Sequence, residues 1–291
     1  MSQLPLSRRT FLASSLALAG GAHLLSASGA AAEGSKSMRF GLVTYMWGAD
    51  WDLPTLIKNC EATGLEGVEL RTTHAHKVEP SLSSAERSEL KKRLIDSPVT
   101  GVGLGSNERF DDPNPEVVRK AIDASKAFLQ LSHDIGTSGV KVKPDRFWPD
   151  VAREKTIEQI GQSLLELGKF AADLGQQVRL EVHGQCAEIP TIAAIMAVAD
   201  HPNVAVCWNS NMDDLKGDGL EANFRLVRPR FGQTLHVREL EDPKYPFADL
   251  FRLLAETKYD GWVLLEAASK PADRMEALRK QRALFDKMTR S

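Results

Sequence analysis

At 291 residues, with a formal net charge of −2 and 26% charged residues, the chain is long enough for a substantial core and has no basic excess. A mildly acidic balance without a basic tract argues against nucleic acid as the usual partner. Cys60, Cys186 and Cys207 are odd in number and widely spaced. They fit neither a disulfide framework nor a CxxC metal site, so they read as buried thiols.

Taken in order, the chain begins with Ser7-Arg8-Arg9-Thr10-Phe11-Leu12, a weakly apolar run and Ala30-Ala31-Ala32. Residues 1–32 are therefore expected to be a twin-arginine signal peptide, with cleavage after Ala32. The expected partner of this segment is the twin-arginine export machinery, and the expected location is periplasmic or otherwise extracytoplasmic. Its apolar run is too short and polar for a membrane anchor. Residues 33–291 remain for one domain, close to the roughly 250 residues of a (β/α)8 barrel.

From Arg39 onward, eight apolar runs bounded by turn residues begin near Phe40, Gly67, Val99, Gly139, Gln177, Val204, Gln233 and Gly261. Helical periodicity fills the gaps. Asp52 can cap a first helix that has Pro54 in its opening turn and ends at Gly64. Leu53, Leu56, Ile57 and Cys60 give that helix one apolar face. Further helices are expected over Glu154–Gly175, Ile189–Asp200 and Ala272–Met288. Strand and helix alternating eight times predict parallel βαβ units in a single-domain α/β fold, the (β/α)8 TIM barrel. An open doubly wound sheet is disfavoured because Thr44 to Asp50 lacks a GxGxxG loop. The stretches Asn107–Pro115 and Asp145–Glu154 are expected to be longer loops over the barrel mouth.

Chemistry in such a barrel sits at the C-terminal strand ends. Four successive runs each carry one metal-compatible side chain there: Glu181, Asn209, His236 and Glu266, spaced about 28 residues apart. Two carboxylates, an imidazole and an amide oxygen make a seat for a hard or borderline divalent metal. Each residue alone has a bland reading, a buried histidine with a backbone partner or a strand-end salt bridge. Together they predict a shared site. His183 and Arg238 follow two residues after Glu181 and His236, and with Lys143 they are expected to hold substrate or balance the carboxylates. Glu69 ends the second strand, and the loop pair His74 and His76 follows it; Glu69 and His74 are read as substrate-facing. Trp47 and Trp148 would stack on a sugar or plug the mouth.

The segments GVEL (Gly67–Leu70), LEVHG (Leu180–Gly184), CWNSN (Cys207–Asn211), LHVRE (Leu235–Glu239) and LLEAAS (Leu264–Ser269) resemble the xylose isomerase-like TIM-barrel superfamily. This is the sugar isomerase/epimerase group that includes tagatose 3-epimerase-like and inosose dehydratase-like enzymes. The resemblance runs over nearly all of Arg39 to Met288. It implies one divalent ion, Mn, Co, Mg or Zn, held by Glu181, Asn209, His236 and Glu266. The family usually has Asp at the second position and a His three residues later, where this chain has Asn209 and Met212. The resemblance further implies an isomerase or epimerase, or a related lyase, acting on an unphosphorylated sugar or polyol. Glu181 and Glu266 would move the proton next to a carbonyl. The competing reading is a non-catalytic carbohydrate-binding protein with a decayed metal site. A DNA-repair endonuclease on the same barrel is disfavoured by seven histidines and the acidic balance. Homo-oligomer formation is left open.

Overall fold

A computed structural model of the chain describes residues 38–290. The leader expected over residues 1–32 lies outside them. Eight parallel strands alternate with eight helices in a nearly closed (β/α)8 barrel, one TIM-barrel domain, as the alternation of apolar runs and amphipathic segments predicts.

The strands are β1 (Arg39–Val43), β2 (Gly67–Arg71), β3 (Thr100–Arg109), β4 (Gly139–Lys143), β5 (Gln177–Glu181), β6 (Val204–Cys207), β7 (Thr234–Val237) and β8 (Trp262–Leu265). They pair in the order β6-β5-β4-β3-β2-β1-β8-β7. Between β6 and β7 there is no regular ladder among the described residues. That seam is closed by isolated bridges, Val206 with Phe231 and Asn209 with His236. Three backbone bonds run across it: Gly232 N to Val206 O at 2.9 Å, His236 N to Trp208 O at 2.7 Å, and Ser210 N to His236 O at 3.1 Å.

The helices are α1 (Leu53–Ala62), α2 (Ser84–Ile95), α3 (Pro115–Ile135), α4 (Arg153–Asp173), α5 (Ile189–Val198), α6 (Gly219–Val227), α7 (Phe247–Glu256) and α8 (Arg274–Thr289). Their ends follow local chemistry. Asp52 accepts from Thr55 N at 2.9 Å, with Pro54 in the first turn of α1. Ser83 and Glu86 form a reciprocal capping box on α2. The end of α3 is Gly136, in the left-handed region at φ 79°. No described helix is long and apolar enough to cross a membrane.

One boundary differs from the sequence expectation. Asn107, Glu108 and Arg109 continue β3, and Arg109 pairs in register with Lys143. Here the strand runs out past the barrel wall, where Asn107 and Arg109 are exposed, so their polarity marks solvent and not a turn.

Strand alternation divides the core in two. Outward residues such as Val68, Leu70, Val140, Val142, Leu180, Val206, Leu235 and Val263 pack against the helices in the main apolar cluster. Inside the barrel only Val43, Val102, Trp262 and Leu264 form a separate small apolar cluster. It needs space from its neighbours: a Cβ on Gly67 would collide with the Trp262 indole and Val102. The Arg39 guanidinium lies 4.0 Å over Trp262 at the barrel bottom. Much of the remaining interior is polar or charged, with Glu69, Lys141, Arg179, Glu181 and His236 all buried there. All three cysteines are free and buried, as their spacing implies.

Candidate active site

Six inward side chains converge inside the upper barrel: Glu69 (β2), Lys141 (β4), Glu181 (β5), Asn209 (just past β6), His236 (β7) and Glu266 (just past β8). All are buried. The structure thus brings together the four residues that the sequence singled out. Asn209 sits between the two carboxylates, and its amide nitrogen donates to Glu181 Oε1 at 2.7 Å and to Glu266 Oε2 at 3.0 Å. His236 Nδ1 lies 3.7 Å from Glu181 Oε1 and 3.8 Å from Glu266 Oε2. Glu181, His236 and Glu266 each present a ligand atom, and these atoms lie within 4.8 Å of one another.

Two cations in this arrangement were not singled out in the sequence. Lys141 Nζ lies 2.8 Å from Glu181 Oε2, with both side chains essentially fully buried. Its remaining donor capacity reaches the Ser106 carbonyl at 3.4 Å. One layer lower, Arg179 bonds Gln177 Oε1 at 3.1 Å, Ser138 O at 2.9 Å and Ser138 Oγ at 2.7 Å, while its Nη1 has no partner. A clue was present: GVKVK and QVRLE are strands of a sheet covered on both faces, so a mid-strand Lys or Arg has no solvent side to occupy.

Glu69 was expected to face substrate. The structure instead buries it completely and sets its Oε1 3.2 Å from Nε2 of His236. That leaves Nδ1 as the nitrogen presented to Glu181 and Glu266. The other expected substrate residues ring the mouth. Lys143 is half-buried above Lys141. Arg238 is half-buried, with Nη1 donating to the Glu266 carbonyl at 3.4 Å. His183, at φ −146° and ψ 151°, extends the line of β5, so it faces the same way as Glu181. Its Nδ1 lies 3.0 Å from Asp145 Oδ1, and Asp145 is held at φ 69°. A Cβ on Gly184 would collide with the Asp145 carbonyl, so glycine is required for this approach. Asp145 also takes Arg109 at 2.6 Å.

His74 and His76 do not join the carboxylates. Their partner is Thr44 Oγ1, at 3.1 and 3.5 Å. Burial, reinforced by His74, depresses the His76 pKa to about 4. Trp47 is only 3% exposed, packs into the main apolar cluster, and its indole donates to Ser269 O at 2.9 Å, tying the β1–α1 loop to the β8–α8 loop. Trp148 is partly exposed and donates to Asp111 Oδ2 at 3.1 Å.

Electrostatics bind the group together. Burial works against the Glu181 carboxylate, but Lys141 and then His236 outweigh it and hold its pKa well below the ordinary value. Burial likewise opposes the Lys141 ammonium, and Glu181, Glu266 and Glu69 outweigh it. His236 is disfavoured as a cation by burial, yet Cys207, Glu69 and Glu181 raise its pKa well above the usual value.

The donor set fits a divalent cation. Asn209 Oδ1 and His236 Nδ1 are buried without hydrogen-bond partners. Amide oxygen and nitrogen exchange places by a half-turn about the last side-chain bond. Such a turn would aim Oδ1 at the point between Glu181 and Glu266 where the NH2 now lies. Carboxylate, amide oxygen, imidazole and carboxylate are then the four donors. They carry less negative charge than a set with Asp at position 209.

No protein of curated function matches this sequence. Among solved structures, 3-keto-D-glucoside 4-epimerase YcjR from E. coli superposes with a TM-score of 0.73 at 16% identity, over 86% of this chain and 100% of that one. D-psicose 3-epimerase, solved in the presence of D-fructose, gives 0.72 at 17% identity, over 87% and 99%. The IOLI protein with a bound zinc atom gives 0.71 at 15% identity, over 87% and 98%. At these identities the superpositions establish the shared fold. The sequence itself matches the model of one family over residues 57–288, and the chain belongs to the xylose isomerase-like TIM barrel family.

Proposed function

We propose that this protein is a divalent-metal-dependent sugar epimerase or isomerase that moves a proton next to a carbonyl through Glu181 and Glu266. The observation that carries the reading is the pair of buried carboxylate oxygens, one from β5 and one beyond β8. They converge with His236 Nδ1 at the catalytic end of the barrel. The epimerases among the structural neighbours supply the reaction class.

Glu181, Asn209, His236 and Glu266 would hold the cation. When bound, such an ion supplies Lewis acidity to a substrate carbonyl and the hydroxyl beside it. The protein's own residues divide the remaining work. Lys141 pairs with Glu181 at 2.8 Å, which makes Glu181 the weaker base and the firmer anchor. The Glu266 side chain is the more accessible of the two, 8% against 1% exposed, and is better placed to take up the C–H proton. Glu69 holds the far side of the His236 ring. His183, oriented by Asp145, and Arg238 and Lys143 meet substrate oxygens at the mouth. Trp47 and the β8–α8 loop close one side against water.

A second reading is a carbohydrate-binding protein that performs no chemistry. Asn209 favours it, since the amide hydrogens already satisfy both carboxylates. Incubation in D2O with Mn2+ and D-fructose, D-allulose or D-tagatose, followed by NMR, separates the two. Exchange of a carbon-bound hydrogen, abolished in both Glu181→Gln and Glu266→Gln, is expected. Exchange retained in either variant removes that residue from the mechanism. Sugar binding without exchange in the wild type selects the second reading. Residues 1–32 are proposed to direct twin-arginine export and to be removed; N-terminal sequencing of the exported protein tests this, with Glu33 expected first.

A further inference from the structure

Arg71, Lys143 and Arg238 each stand two residues beyond an inward site residue: Glu69 and Arg71 are both on β2, Lys141 and Lys143 both on β4, and Arg238 follows immediately after β7, which carries His236. Alternation directs Arg71 and Lys143 inward again, one layer nearer the mouth, and the contact of Arg238 Nη1 with the Glu266 carbonyl places Arg238 beside them. All are half-buried. His183 stands in the same relation to Glu181, but it has Asp145. Among the described residues, no carboxylate forms an ion pair with Arg71, Lys143 or Arg238. Other cations at the rim do have one: Arg109 with Asp145, and Arg146 with Asp111 and Asp145.

Their remaining contacts are neutral. Arg71 donates to Asn107 Oδ1 at 3.0 Å and lies 4.7 Å over the Tyr45 ring, while its buried Nε has no partner. Arg238 reaches a backbone carbonyl. The Lys143 ammonium makes no hydrogen bond to the protein's described residues. Burial first, and then Lys141 and Arg71, push its pKa down, and Glu181 and Glu266 in the layer beneath oppose them only in part. The layer beneath does not require these charges. There, Glu69, Glu181 and Glu266 already face Lys141, Arg179 and His236.

A half-desolvated cationic tier without anions of its own is destabilising until an anion joins it. We infer that the substrate is a sugar or polyol bearing an oxyanion, a carboxylate or a phosphate, which Lys143 and Arg71 receive while its carbonyl end lies over Glu181 and Glu266. The inference rests on the proposal that the mouth takes a sugar.

Calorimetric titration of the purified protein with matched pairs tests it: D-glucuronate against D-glucose, and D-fructose 6-phosphate against D-fructose. At least one charged partner is expected to bind about tenfold or more tightly than its neutral counterpart, with the advantage shrinking as salt rises. Which pair shows the difference tells carboxylate from phosphate. Lys143→Met, with Lys143→Gln as the polar alternative should the first not fold, is expected to abolish most of that advantage, lowering the affinity for the charged sugar far more than that for its neutral partner. Equal affinity for charged and neutral sugars, or an advantage that survives both substitutions, overturns the inference and leaves the epimerase proposal standing. If no sugar of either kind binds, both fall.

Discussion

Leu180 and Lys141 sit on neighbouring strands, both fully buried, yet they belong to two different cores. Leu180 faces the helices in a continuous apolar layer that needs only shape and volume to hold. Lys141 faces the barrel axis, among charges whose stability depends on every partner being present. The outer core builds the barrel. The inner core spends part of that stability on side chains that do chemistry.

Loss of charge should separate the two cores most sharply. Lys141→Met leaves Glu181 buried against Glu266 without its cation, and the metal-free protein should lose about 3–5 kcal/mol. Added Mn2+ should restore much of that loss, and should bind the variant more tightly than the wild type because a competing positive charge is gone. Denaturant titrations with and without Mn2+ measure both effects. A Lys141→Met protein whose stability is indifferent to Mn2+ would break the distinction.

Leu180→Ala comes next, at about 2–5 kcal/mol, from lost burial and the cavity left behind. Its deficit should be the same with and without Mn2+, since the Leu180 side chain faces the helices and not the donor set.

The third effect is read as a slope with pH and lies in the β6–α6 segment. Asp214 is fully buried, and its Oδ2 accepts from Tyr245 at 2.7 Å. Burial raises its pKa to about 8, from 3.8 in the unfolded chain. The folded state therefore binds the extra proton between those values, and this group's contribution must decline as pH rises from about 4 to 8. Asp214→Asn should flatten that part of the melting-temperature profile. A profile as steep as the wild type's would show that Asp214 is already ionised in the fold.

The outer core was readable in the sequence because it is periodic. VEL, VKV, VRL and WVLL announce strands, and glycines and caps mark where the helices stop. Glu181, Asn209, His236 and Glu266 were readable because the same position recurs at the end of four consecutive strands. Lys141 and Arg179 were not, since a single Lys or Arg within an apolar run looks like an exposed alternation until both faces of the sheet are known to be covered. Glu69 was seen but misplaced: strand position fixes which way it points, while its depth depends on how β2 staggers against β3, where the register shifts at Val68/Glu69. The strand ending at Arg109 shows the same limit, with polarity there reporting exposure and not a break.

The seam between β6 and β7 gives this arrangement a mechanical side. Elsewhere each strand is stitched to its neighbour by a ladder, but here the bridge between Asn209 and His236 is one of two isolated bridges among the described residues. Both residues also belong to the donor set. A cation gripped by that pair would act as a rivet through the thinnest joint of the hoop, and its departure would slacken the joint. Amide hydrogens at Gly232, His236 and Ser210 would then serve as strain gauges for occupancy, exchanging faster when the rivet is out.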